Sequence, residues 1–129
     1  MSDMHALVID DNPSNVKVLV NLLRLEGVNT SQLTEPLDLE AVLDDLDHLD
    51  VIFLDLEMPH MDGFQALELL QRSRFERVPV VAYTVHISEI NATREVGFHS
   101  FLGKPLNAEK FPDQLARILH GEHVWSLPR

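Results

Sequence analysis

The chain alternates short apolar runs with segments in which apolar residues recur every three or four positions. The short runs are typical of buried strands, and the wider spacing is typical of helices that pack one face on a sheet. Five strand and helix pairs follow one another, with strands predicted at 5–10, 28–34, 50–55, 78–84 and 99–103. This alternation predicts an α/β fold, with a doubly wound five-stranded parallel sheet that has helices on both faces.

Proline and glycine residues mark the ends of the predicted helices. The first helix is predicted from Pro13 to a stop at Gly27, because proline is tolerated at the first helical position and glycine commonly ends a helix. The fourth helix is predicted over 86–96 and the last over 107–120. Pro112 would cost that last helix a backbone hydrogen bond, so a start one turn later is the alternative.

Charge and composition narrow the functional classes. The 129 residues are 45% hydrophobic, and 10 Lys and Arg oppose 21 Asp and Glu for a net charge of −11. This is enough apolar mass for one core, and so acidic a chain is expected to bind neither nucleic acid nor an anionic membrane surface through bulk charge. Cysteine is absent, which excludes disulfides and thiolate chemistry. Without an apolar leader or a run of membrane-spanning length, a cytoplasmic location is predicted.

Polar residues stand where the predicted strands end. They are Asp10 and Asp11 after the first strand, Asp55 after the third, Thr84 after the fourth and Lys104 after the fifth. Ligands of open α/β sheets bind outside the carboxyl ends of the strands, so these side chains converge if the strands are neighbours. Their charges sum to −3 + 1 = −2, which a divalent cation would neutralise. Mg²⁺ prefers such oxygen ligands.

An aspartate in such a site can also act as a nucleophile. Carboxylates accept phosphoryl groups to form aspartyl phosphates, and phosphoryl transfer needs mainly positioning and charge neutralisation. Lys104 and Thr84 would then contact the remaining phosphoryl oxygens. Each residue alone is also explained as a helix cap, a turn or a strand stop. Their occurrence at four strand ends favours a phosphoryl-transfer site.

Four sequence stretches resemble the response-regulator receiver family. They are ALVIDDNPSN, VIFLDLEMPHMDG around Asp55, PVVAYT, and GFHSFLGKPL, and the resemblance covers residues 4–121. It implies a flavodoxin-like fold with the strand order 2-1-3-4-5. It also implies a stand-alone receiver domain over 1–121 and a short tail over 122–129.

The resemblance assigns roles to the acidic residues. Asp55 would be phosphorylated by the phosphohistidine of a histidine kinase or a phosphotransfer protein. Mg²⁺ would bind Asp10, Asp11 and Asp55, with the backbone carbonyl of Glu57 as a further ligand. The protein would catalyse only its own phosphorylation and dephosphorylation, so it would not be an enzyme with a separate substrate.

The resemblance also implies a conformational switch. Thr84 would move toward the phosphoryl group, and Phe101 would swing inward to fill the space left behind, although an ordinary core phenylalanine is the alternative. Lys104 and Pro105 would be joined by a cis peptide bond. The message would pass by contact between a downstream protein and the face formed by the fourth helix, the fifth strand and the fifth helix.

Two residues depart from the family pattern near the site. Val85 stands after Thr84 where the family carries a very small residue, and Glu57 adds a carboxylate two residues after Asp55. Neither removes an essential group. We expect Val85 to lie beside Asp55 at the rim and to slow both phosphorylation and dephosphorylation, with Glu57 as the competing cause.

Three other functions fit the sequence less well. A phosphohydrolase with an aspartate nucleophile carries a D-x-D-G type run, whereas Leu-Glu-Met-Pro follows Asp55 here. A dinucleotide-binding domain needs a glycine-rich turn after the first strand, and DDNPSN stands there instead. A degenerate receiver that acts only as a scaffold is disfavoured because all the site residues are present.

The sequence alone does not decide the roles of two features of the C-terminal region. His120 and His123 have the spacing of zinc ligands, but without a third ligand nearby they are interpreted as an ordinary surface pair. Trp125, the only tryptophan, docks either on the domain or on a partner.

Overall fold

The computed structural model describes residues 4–127. It contains six strands and five α-helices in alternation, with two short 3₁₀ turns before α2 and α4. The elements are β1 His5–Ile9, α1 Pro13–Leu25, β2 Asn29–Leu33, α2 Leu39–Asp45, β3 Val51–Leu54, α3 Gly63–Gln71, β4 Val80–Thr84, α4 Ile90–Val96, β5 Ser100–Gly103, α5 Phe111–Leu119 and β6 Trp125–Ser126. No helix within these residues is long and apolar enough to cross a membrane.

The sheet is parallel throughout, with the order β2-β1-β3-β4-β5-β6. The predicted fold class and the order of the first five strands are confirmed, and the tail adds a sixth strand. The Phe101 N–H donates to the Val124 carbonyl at 2.8 Å, and Phe101 pairs with Trp125 in the register. The extra strand forms because β5 would otherwise leave a row of unpaired backbone groups at the sheet edge.

This sixth strand makes part of the predicted tail a part of the fold. Residues 124–126 of the predicted tail pack as part of the sheet, with Val124 buried. The edge of β5, one of three elements of the predicted partner face, is therefore covered by the chain itself.

The core has two layers because successive strand residues point to opposite faces of the sheet. On one face, Ala6 and Val8 of β1 pack with residues of α1 and α5. On the other face, Leu7 and Ile9 pack with residues of α2 and α3. All four of these β1 residues are fully buried, which is expected for a central strand of a parallel sheet.

Element boundaries differ from the predictions where proline intervenes. β4 begins at Val80 and not at residue 78, because Pro79 has no N–H to donate to the ladder. α5 begins at Phe111 with Pro112 in its first turn, so the later of the two predicted starts is confirmed. α4 ends at Gly97, whose φ of 104° is in the left-handed region that glycine adopts readily.

Candidate active site

Three carboxylates meet at the carboxyl edge of the sheet. β1 and β3 are neighbours with Ile9 opposite Leu54, so the residues that follow each strand lie side by side. Oxygen atoms of Asp10, Asp11 and Asp55 all lie within 4.8 Å of one another. Asp10 has no exposed surface and Asp55 is 8% exposed. The convergence predicted from the strand ends is therefore present.

The Asp10 carboxylate is held by three donors. The Lys104 ammonium donates to Oδ2 at 2.9 Å, and the Tyr83 hydroxyl donates to the same oxygen at 2.8 Å. The backbone N–H of Asn12 donates to Oδ1 at 2.9 Å. Burial of a carboxylate is costly unless such partners compensate for lost hydration, so this network fixes the orientation of the Asp10 side chain.

Lys104 links two of the carboxylates. Its ammonium lies 2.9 Å from Asp10 Oδ2 and 3.8 Å from Asp55 Oδ1, and only 11% of its side chain is exposed. It also lies 4.3 Å from the centre of the Tyr83 ring, where the electron-rich face attracts a cation. The peptide bond to Pro105 is cis, as the resemblance implied. Lys104 is thus oriented toward the site by contacts on several sides.

Burial raises the pKa of two groups in the site. It raises the pKa of Asp55 from 3.8 to about 6, Lys104 opposes this rise, and Asp10 adds to it. Burial, followed by the charge of Asp10, also raises the pKa of the Tyr83 phenol far above its usual range. Tyr83 is therefore a neutral hydrogen-bond donor, and burial favours the protonated form of Asp55.

This set of donors fits a hard divalent cation. Three carboxylates and one ammonium give −3 + 1 = −2 in one cleft, and Mg²⁺ takes oxygen ligands of this kind. Within residues 4–127, these aspartates are the only group of three or more potential ligand residues whose atoms converge. His120 and His123 thus lack a third ligand in the described part of the chain. Binding of Mg²⁺ by the backbone carbonyl of Glu57 stays a prediction.

Tight packing fixes the loop that follows Asp55. The Gly63 N–H donates to the Leu56 carbonyl at 2.8 Å. A Cβ on Gly63 would lie 2.7 Å from Leu56 Cα and 2.9 Å from the Asp55 carbonyl oxygen, so only glycine allows this approach. Asp62 and Gln65 form a capping box at the start of α3, which satisfies exposed backbone donors. The two ends of the loop are held together beside Asp55.

His86 joins the two loops on either side of the site. Its backbone N–H donates to the hydroxyl of Thr84 at 3.2 Å, and its Nε2 lies 3.0 Å from a Glu57 carboxylate oxygen. Thr84 has no exposed surface, whereas the Glu57 side chain is 67% exposed. The Glu57 carboxylate, which the sequence places near Asp55, therefore has His86 as a partner.

Tyr83 and His86 were missed as site residues by the sequence analysis. A signal for Tyr83 exists, because a tyrosine in an otherwise apolar strand needs a partner for its hydroxyl, and carboxylates were predicted nearby. The sequence carries no comparable signal for His86, since its contact with Glu57 depends on the paths of two loops.

Val85 and Phe101 have contrasting environments. Val85 is 63% exposed, which is compatible with a rim position, and its effect on access to Asp55 stays a prediction. Phe101 has no exposed surface and belongs to the core cluster on the α3 face. The Phe101 ring is therefore already buried in this structure.

Comparisons with known proteins agree with the fold. The family model described as the response regulator receiver domain matches residues 6–116. The osmosensing histidine protein kinase SLN1 of Saccharomyces cerevisiae is 30% identical over 111 residues, which are 81% of this chain and 9% of that protein. The chain thus spans a small part of this curated relative.

Solved structures share the architecture at low sequence identity. A CheY-like receiver domain protein from Methanospirillum hungatei has a TM-score of 0.81 at 17% identity, covering 92% of this chain and 95% of that one. The receiver domain of sensor histidine kinase PA1611 from Pseudomonas aeruginosa, described with a magnesium ion coordinated in its active site cleft, has a TM-score of 0.78 at 23% identity and covers 92% and 99%. These structures support the fold alone.

Proposed function

The chain belongs to the response regulator receiver domain family, and on that premise we propose that it accepts a phosphoryl group on Asp55 and signals by changing shape. The observation that carries the proposal is the cluster of Asp10, Asp11 and Asp55 within 4.8 Å, next to the Lys104 ammonium. Lys104 lies 2.9 Å from Asp10 and 3.8 Å from Asp55, so the Asp55 carboxylate is less tightly paired than that of Asp10.

The proposed donor is a phosphohistidine of a histidine kinase or a phosphotransfer protein. The phosphorus–nitrogen bond breaks, an oxygen of Asp55 forms the new bond to phosphorus, and the histidine leaves. The reaction needs the ionised form of Asp55, and a pKa of about 6 leaves most of the group ionised at neutral pH. The relation to SLN1 supports a partner of the histidine-kinase class.

Asp10, Asp11 and Asp55 would hold Mg²⁺, as magnesium binding by PA1611 also suggests. When bound, the cation supplies positive charge that offsets the carboxylates and the phosphoryl oxygens. Lys104 neutralises Asp10 and stays within reach of oxygens on Asp55. Tyr83 and the Asn12 N–H keep Asp10 oriented.

The proposed signal begins at Thr84. Its hydroxyl accepts the His86 N–H at present, and bonding to a phosphoryl oxygen would draw it toward Asp55. A change of shape requires that the phosphoryl group interact differently with two states, and Thr84 supplies that difference. Because Phe101 is already buried, the change is expected at the His86 loop and α4 before it reaches Phe101.

Downstream contact would involve α4, β6 and α5, since β6 covers the edge of β5. The proposal includes no separate substrate turnover, so the protein would act as a switch and not as an enzyme. Its cytoplasmic location stays a prediction from the sequence.

Intact mass measurement tests the proposal. The protein is incubated with acetyl phosphate and Mg²⁺, and we expect a mass gain of one phosphoryl group that hydroxylamine removes. Asp55→Asn should abolish the gain, while Asp50→Asn, in the loop before β3, should leave it unchanged. Labelling of the Asp55→Asn protein at another residue, or no labelling of the parent chain, would contradict the assignment.

A further inference from the structure

A cavity of about 510 Å³ lies at the amino edge of the sheet, opposite the edge that carries Asp55. It is bounded by the starts of β4 and β5, the carboxyl ends of α3 and α4, and β6. We call it the amino-edge cavity and define it by Leu67, Arg77, Val80, Arg94, Phe98 and Trp125. It shares no lining residue with the candidate active site.

The floor of the amino-edge cavity is apolar. Leu67, Val80 and Phe98 reach it from the buried core, and Trp125 forms a wall with its indole ring. Binding cavities commonly have this size and an apolar lining with a few polar groups. The floor can therefore take an apolar or aromatic side chain.

The Trp125 wall is fixed by the tail. Val124 accepts a hydrogen bond from the Phe101 N–H at 2.8 Å and donates one to the Ser100 hydroxyl at 2.9 Å. The His123 Nδ1 lies 2.8 Å from the His99 carbonyl oxygen. A wall held in this way is formed before any ligand arrives, which lowers the entropy cost of binding.

Two cationic side chains stand at the rim. Arg77 and Arg94 are both exposed, and neither guanidinium group makes an ion pair or a hydrogen bond within residues 4–127. The Arg94 guanidinium carbon lies 4.7 Å from the centre of the Trp125 ring. Glu76 is the one carboxylate in the lining. The lining thus has a positive balance in a chain whose net charge is −11.

From these features we propose that the amino-edge cavity docks an acidic protein segment that carries an apolar or aromatic anchor residue. The anchor fits the apolar floor, and carboxylates on either side of it fit the two guanidiniums. Arginine and tryptophan are enriched among the residues that dominate protein interfaces, and opposite charges favour the correct partner. This docking does not depend on phosphorylation of Asp55.

A protein segment fits these features better than a small anion does. Arg77 and Arg94 are exposed and stand on separate elements, so a free anion would gain only solvent-screened attraction. It would also leave the apolar floor uncovered. A peptide chain presents an anchor and carboxylates together.

Fluorescence anisotropy tests the proposal with the full chain and a fluorescein-labelled peptide in which glutamates flank a Phe-Leu pair. We expect saturable binding at physiological ionic strength. The double variant Arg77→Glu, Arg94→Glu should weaken it by about tenfold or more, since arginine is enriched among the residues that dominate interface affinity. The matched control Lys17→Glu, Arg24→Glu makes the same charge change at exposed positions of α1 and should change affinity by less than about twofold.

Two further peptides and one nucleotide complete the test. Replacement of Phe-Leu by Ala-Ala, or of the glutamates by glutamines, should each weaken binding by about tenfold. Equal weakening by the two double variants would show attraction by bulk charge and overturn the proposal. Failure of the parent peptide to bind would also overturn it, as would displacement of the peptide by ATP at equal concentration.

Discussion

At the carboxyl edge of the sheet, Asp10 and Thr84 have no exposed surface, whereas Arg77 and Arg94 at the amino edge are exposed. Asp10 and Thr84 have hydrogen-bond partners within 3.2 Å, while the two arginines make no ion pair within residues 4–127. One sheet therefore carries buried, oriented charge at one edge and exposed, unpaired charge at the other.

The difference indicates that the two edges of the sheet have different roles. Buried charges interact strongly because water does not screen them, and they need no reorganisation when a reaction begins. Exposed charges cost little to keep and contribute mainly to partner choice and to association. On this reasoning, substitutions at the carboxyl edge should affect stability and chemistry, and substitutions at the amino edge should affect mainly binding.

The largest expected effect comes from removal of the buried cation. Lys104→Met leaves the fully buried Asp10 carboxylate without its ammonium partner. Loss of one member of a buried ion pair typically costs about 3–5 kcal/mol, so we expect a decrease of that order in the free energy of unfolding. Urea unfolding followed by circular dichroism gives the value.

The matched control for Lys104 is Arg94→Met at the amino edge. It removes one positive charge and a contact with Trp125, for which the expected loss is at most about 1 kcal/mol. Similar losses in the free energy of unfolding of the two variants would show that burial does not make charges at the carboxyl edge more important for stability than those at the amino edge.

The sequence predicts the carboxyl edge well because its residues directly follow strands. Once the order of the strands is given, Asp10, Asp55 and Lys104 converge without any further information about side chains. The resemblance to a known family supplied that order, and the pattern of apolar residues supplied the strands.

The amino edge was not predicted because it depends on a distant segment. A strand of two residues such as β6 has no periodicity to detect, and its register is set by contacts of Val124 with Phe101 and Ser100. The cavity exists only once Trp125 is placed there. The contact of His86 with Glu57 was missed for the same reason, since it joins two loops that are far apart in sequence.

The second prediction concerns the charge of Asp55 and its dependence on pH. The pKa of Asp55 is raised from 3.8 to about 6 by burial, with Lys104 opposing and Asp10 adding to the rise. A carboxyl group whose pKa is higher in the folded state binds more protons there, so its ionisation lowers stability as pH rises from about 4 to about 6. Asp55→Asn removes this cost at neutral pH.

We expect Asp55→Asn to raise the free energy of unfolding by about 1–3 kcal/mol at pH 7 in the presence of a chelator, since two pKa units correspond to at most about 3 kcal/mol. The gain should shrink as the pH falls from about 6 to about 4, and saturating Mg²⁺ should reduce it at pH 7. Asp50→Asn serves as the control. A gain that is independent of pH would contradict the account.

The smallest expected effect comes from substitutions of solvent-exposed side chains at the rim of the carboxyl edge. Val85 is 63% exposed, and the Glu57 side chain is 67% exposed and lies 3.0 Å from His86. Val85→Ala should speed both phosphorylation by acetyl phosphate and loss of the phosphoryl group, because a stiff β-branched side chain narrows the approach to Asp55. Its exposure limits the expected gain to about tenfold or less.

Glu57→Gln separates the steric cause from an electrostatic one. Repulsion between the Glu57 carboxylate and an anionic donor would be screened by salt, whereas obstruction by Val85 would not. We therefore expect the gain from Val85→Ala to persist at high ionic strength and any gain from Glu57→Gln to fade. Glu57 contacts His86 at 3.0 Å. If the Glu57 carboxylate controls the rates of phosphorylation and dephosphorylation, His86→Gln should therefore reproduce part of the effect of Glu57→Gln on those rates. If Val85→Ala leaves both rates unchanged while Glu57→Gln and His86→Gln alter them, access to Asp55 is governed by charge at the rim, and the steric role of Val85 is wrong.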